Sequence, residues 1–105
     1  MATSCETVEG VDFSNLRPGS LIDVETKSRH YHIECLGGSA VRISGHPQYC
    51  PDPVVAELQG SISKEGLLES GLIERGSRMV FFLDDHPVTT SRVVSLHVNR
   101  QPTIH

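Results

Sequence analysis

Apolar and polar residues alternate through much of this chain with a period of two. Leu21–Thr26 sets Ile22 and Val24 on one side and Asp23 and Glu25 on the other. Residues 30–36 repeat the pattern, with Tyr31, Ile33 and Cys35 on one face and His30, His32 and Glu34 on the other. Successive side chains of a strand point to opposite faces, so each run predicts a strand that turns one row of side chains onto a core. Lys27-Ser28-Arg29 lies between the two runs, a polar connection short enough for a hairpin. Gly37-Gly38-Ser39 predicts another tight turn, and Ala40–Ser44 a third strand with Val41 and Ile43 inward.

Residues 45–53 read Gly-His-Pro-Gln-Tyr-Cys-Pro-Asp-Pro, and their three prolines exclude a regular element because proline has no backbone donor. Residues 54–59 return to strand character. Ser63 is placed to cap one short helical turn near residues 63–70 that closes at Gly71, although Gly66 works against it. Further on, Met79, Phe81 and Leu83 make an inward row, while Val80 and Phe82 are apolar on the opposite face. Apolarity on two faces predicts a strand covered on both sides, by another layer or by a partner subunit. Asp84-Asp85-His86-Pro87 reads as a turn, and residues 89–98 as the last strand, with Val94, Leu96 and Val98 alternating.

One phrase occurs twice. Leu16-Arg17-Pro18-Gly19-Ser20 and Ile73-Glu74-Arg75-Gly76-Ser77 each place an aliphatic residue three positions before Gly-Ser and then run into alternation. Glycine permits the tight bend, so both read as turns feeding strands. The prediction is an all-β domain: a small antiparallel barrel, SH3-like or related, of about six strands. Residues 16–99 form the barrel domain, with residues 1–15 a flexible N-terminal arm on which Val11 and Phe13 dock, and residues 100–105 a flexible tail. The order of strands and turns resembles that of PilZ domains, small barrels that bind cyclic dinucleotides. The resemblance stops at the order of elements: Arg17 has no second arginine at the Arg-x-x-x-Arg spacing, and no glycine stands three residues after Ser39, so no ligand residue follows from it.

Composition sharpens this picture in three ways. The chain has 105 residues, room for one domain. Apolar residues are 37% and Trp is absent, so Val, Ile and Leu must build a thin core, which favours added burial through self-association. Net charge is −4, and the 9 Lys and Arg residues are scattered, which argues against nucleic acid and against a membrane surface as partners. No apolar run approaches the roughly 18 residues of a spanning helix, and the first residues lack the pattern of a signal peptide, so the expected location is cytoplasmic. Cys5, Cys35 and Cys50 are odd in number and irregular in spacing, which predicts free thiols rather than a disulfide framework.

Three groups of residues carry candidate chemistry. His30 and His32, two apart on one strand, project from the same face and offer two imidazoles to a metal, zinc above all, with a third ligand from His46, Cys50 or His97. The loop bearing His46, Tyr49 and Cys50 is a ligand-loop candidate, and there a thiol with a neighbouring histidine could serve as nucleophile and base. The Gly37-Gly38-Ser39 turn with Arg42 offers backbone amides and a cation to an anion. None of these completes a catalytic set. The leading expectation is therefore a non-catalytic binding or protein-interaction module, self-associating through Val80 and Phe82, with a protein partner or a homo-oligomer and no cofactor. A metal-binding protein using His30 and His32 is the alternative, and a thiol enzyme using Cys50 the third.

Overall fold

The computed structural model describes residues 5–100. Ten strands and one 3-10 turn follow in order: β1 (Cys5–Val8), β2 (Gly10–Asp12), η1 (Phe13–Asn15), β3 (Leu21–Thr26), β4 (His30–Gly37), β5 (Ala40–Ser44), β6 (Val54–Ile62), β7 (Leu68–Ser70), β8 (Leu72–Glu74), β9 (Arg78–Leu83) and β10 (His86–Asn99). The domain is all-β and antiparallel, as the alternation predicts. Six of the strands close a ring, because β9 pairs with both β10 and β6 at the ends of the run β10-β3-β4-β5-β6. Closure leaves no free edge within the ring, which suits strands this apolar.

The predicted inward rows are the core. Ile22, Val24, Tyr31, Ile33, Cys35, Val41, Ile43, Met79 and Phe81 are buried in one cluster. Tyr31 and Phe81 meet edge to face across it, with ring centroids 6.0 Å apart. The repeated Gly-Ser phrase builds the same joint twice. Gly19 N–H donates to the Cys35 carbonyl while Cys35 N–H donates to the Ser20 carbonyl, both at 2.8 Å. Gly76 and Ser77 make the same reciprocal pair with Val93, also at 2.8 Å. Both glycines are left-handed, with φ of 94° and 91°, a region most side chains disfavour.

Four expectations need correction. Residues 63–70 form no helical turn: Gly66, at φ 85°, bends the chain back, Ser63 N–H donates to the Leu67 carbonyl, and β7 runs back along β6. The ring has the expected six strands, and four short strands lie outside it: β7, β8 and, from residues 5–15 that were expected as an arm, β1 and β2. β1 lies on β10, β2 lies on β8, and Val11 and Phe13 are buried in the core. The outermost residues of the expected arm and tail, 1–4 and 101–105, lie outside the described residues. Pro87 does not end pairing but sits inside β10 opposite Phe82. On β10 a shift of register between Val93 and Ser95 breaks the alternation, so that Val93 turns inward and Val94 outward, while Leu96 and Val98 stay in the core.

Cys35 gives the core a pH signature. Burial, and secondarily Glu34, push its thiol from 9.0 up to about 11. The folded state therefore holds the thiol protonated where the unfolded chain ionises it. Stability is intact below pH 9 and falls as pH rises towards 11, by about 2–3 kcal/mol. Urea midpoints at pH 8 and pH 10.5 should show this drop, and Cys35→Ala should flatten the slope. Burial pushes the Tyr31 hydroxyl up as well, which adds a smaller loss in the same direction.

Candidate metal centre

The hairpin of β3 and β4 fixes the site through its register. Thr26 closes the turn: its hydroxyl donates to the Arg29 carbonyl and accepts from the Arg29 N–H, both at 3.0 Å. Counting back from that turn, Glu25 lies opposite His30, Asp23 opposite His32 and Leu21 opposite Glu34. Ile22, Val24, Tyr31 and Ile33 point into the core, so Asp23, Glu25, His30 and His32 share the outer face.

On that face two imidazoles converge on one carboxylate oxygen. Asp23 Oδ1 is 2.6 Å from His32 Nδ1 and 3.9 Å from His30 Nε2. The two rings stack with centroids 4.7 Å apart and planes 30° from parallel. One ligand atom from each of the three residues lies within 4.8 Å of the others. Four ligands about 2.0–2.2 Å from a tetrahedral zinc stand roughly 3.3–3.5 Å from one another. The cluster is already near that scale. To seat an ion, the Asp23–His32 hydrogen bond must open by less than an ångström while His30 swings in.

A fourth side chain stands next to the cluster. His97 of β10 lies directly opposite Asp23, with Leu96 and Val98 buried on either side of it, so it shares the outer face. Its Nδ1 lies 3.1 Å from the Thr7 hydroxyl of β1. Directly paired residues have Cβ atoms about 4.5–5.5 Å apart, so His97 neighbours Asp23 while its ring bonds on the β1 side. Beside the cluster a hollow of about 270 Å³ opens between Leu21, His32, Arg42, Ser44 and Pro53.

No family model, curated protein or solved structure matches this chain. Its chemistry must therefore be read from the side chains alone.

The other sequence candidates separate in space. Cys50 is fully buried in the core cluster, and burial pushes its thiol up, away from the reactive thiolate form. His46 pairs with Cys50 through the backbone, Cys50 N–H donating to the His46 carbonyl. Its ring faces the loop instead, with Nδ1 accepting from the N–H groups of Gln48 and Tyr49 at 3.1 and 3.2 Å. The loop thus builds an aromatic stack, His46 on Tyr49 at 4.6 Å and Tyr49 on His86 at 5.1 Å, and no thiol–imidazole hydrogen bond exists among the described residues. Arg42 pairs with Glu34 at 2.7 Å, so its charge is taken up by a carboxylate rather than offered to the Gly37-Gly38-Ser39 turn. Val80 is 7% exposed and covered by its own chain, while Phe82 is half-buried.

Sequence reading missed Asp23 as a partner of the histidines. The signal was present: with Thr26 and Arg29 flanking the turn, counting outward in an antiparallel hairpin pairs residue 23 with residue 32.

Proposed function

We propose that this chain is a small non-catalytic metal-binding module, an SH3-like barrel or a relative of one. It takes a late first-row divalent cation, zinc first, on Asp23, His30 and His32. The observation that carries the reading is the convergence of both imidazoles on Asp23 Oδ1, at 2.6 and 3.9 Å. That convergence brings one ligand atom from each of the three residues within 4.8 Å of the others on an exposed face. Two imidazoles and a carboxylate are a donor set that zinc accepts, with His97 or water completing the shell. The hollow beside the cluster leaves the ion open to solvent on one side. Metal analysis of tag-free protein, refolded with zinc and desalted, should give one ion per chain. A chain that retains none overturns the reading.

A second reading, self-association, is favoured by a different face. Half-buried Phe82 and Val55, 63% exposed, line one hollow with Ala40 and Glu57. A second copy would cover that face. Sedimentation should then show an oligomer that Phe82→Lys converts to a folded monomer. A wild-type chain that stays monomeric at high concentration removes this reading, and with Val80 already buried no other part of β9 supports it.

A further inference from the structure

A second polar pocket lies where the β3–β4 turn meets β10, and it shares no residue with the Asp23, His30 and His32 cluster. The turn is held there by Lys27 N–H donating to the Arg92 carbonyl at 3.0 Å and Ser28 N–H donating to the Ser91 hydroxyl at 3.2 Å. β10 shifts register against β9 between Thr89 and Arg92, in the segment that the turn bonds to. Arg29, Tyr31, His46, Thr89 and Ser91 then surround a space of about 120 Å³.

The chemistry of this space is one-sided. No carboxylate lines it. Arg29 has no ion pair among the described residues, and its Nε is buried with no hydrogen-bond partner. An orphaned buried donor on a charged group costs free energy. The hydroxyls add donors. Ser91 accepts from Ser28 and keeps its proton, and the hydroxyls of Tyr31 and Thr89 bond to no described residue. Thr90 differs, since its hydroxyl donates to the Ser91 carbonyl and accepts from Met79 N–H. The Arg29 charge is felt by its neighbours: after burial, it is the cause that lowers His46, and it opposes the burial that raises Tyr31.

We propose that this pocket binds a phosphoryl group, held by the Arg29 guanidinium and the hydroxyls of Tyr31, Thr89 and Ser91. Guanidinium with several hydroxyl donors fits a tetrahedral oxyanion, and the pocket is sized for one such group. Free phosphate and the phosphate of a small ester present the same oxyanion. His46 connects the pocket to the stack formed with Tyr49 and His86, which offers a flat ring to the base of a nucleoside monophosphate.

The test is a titration of the ¹⁵N-labelled full chain with inorganic phosphate at constant ionic strength, with affinities from calorimetry. Saturable shifts confined to residues 26–31, 46 and 89–91 are expected, with Arg29→Gln weakening binding at least about tenfold. Ser91→Ala, which keeps the charge, should weaken it by a smaller factor and serves if Arg29→Gln does not fold. Shifts that are absent or spread over the surface, or an Arg29→Gln chain that binds as tightly as the wild type, overturn the assignment. Adenosine monophosphate separates the two sources: tighter binding than phosphate, with added shifts at Tyr49 and His86, identifies a nucleotide, and equal affinity identifies the phosphoryl group alone.

Discussion

Gly45→Ala should cost at least about 3 kcal/mol, enough to leave a small domain largely unfolded in mild urea. Gly45 stands at φ 127°, where an L side chain is strained, and a Cβ there would be driven into the backbone carbonyl of His30. The obstacle is backbone of the neighbouring strand, so no rotamer change relieves it. Gly60→Ala should behave alike, because its φ is 154° and its Cβ would meet the Glu69 carbonyl on β7. Gly66→Ala is the control: its φ is also positive, at 85°, but nothing lies within 4 Å, and its cost should stay near about 1 kcal/mol. Urea melts followed by circular dichroism compare the three. Equal midpoints for Gly45→Ala and Gly66→Ala would show that β4 does not approach Gly45 as described. Gly45 also lies between the two sites, since it packs against the backbone of His30 at the start of β4 and directly precedes His46.

Zinc should raise the melting temperature of the wild-type chain by roughly 10–20 °C when free metal is a hundredfold above its Kd. Binding to the folded state alone adds about 2.7 kcal/mol under that condition, and each kcal/mol moves a domain of this size by roughly 4–8 °C. His30→Ala with His32→Ala should abolish the shift. Asp23→Asn should reduce it sharply, because the amide keeps the shape of the carboxylate but neither its charge nor its strength as a ligand. His86→Ala, in the separate aromatic stack, should leave the shift unchanged. Removal of zinc by a chelator should return the wild type to its apo midpoint. The same zinc shift in the double histidine variant would place any bound metal elsewhere.

Much of the core was legible because period-two alternation is a local property. Ile22 with Val24, Tyr31 with Ile33, and Val41 with Ile43 each declare an inward row without reference to any other strand. The same signal failed where a local irregularity broke the period. At Val93–Ser95 the bulge exchanges the faces of Val93 and Val94, and nothing in the run of residues marks the extra one. It failed again at residues 63–70, where a serine cap and a serine-closed turn begin alike and only Gly66 tells them apart. On β9 Met79, Val80 and Phe81 are covered by the same chain while Phe82 is only half-buried, and cover by the same chain looks no different in sequence from cover by a partner.

For the sites, the sequence by itself determined that His30 and His32 share an exposed face, because two residues two apart on a strand must. It also determined the two Gly-Ser turns that feed β3 and β9, since glycine takes their left-handed bend without strain. Tertiary structure alone decided the rest. Asp23 joins the histidines through hairpin register, and the pairing of β10 with β3 sets His97 opposite Asp23, across more than 70 residues of chain. Arg29 faces the hydroxyls of Thr89 and Ser91 for the same reason. Periodicity tells which way a side chain points, but only the closing of the ring sets which distant strand it meets.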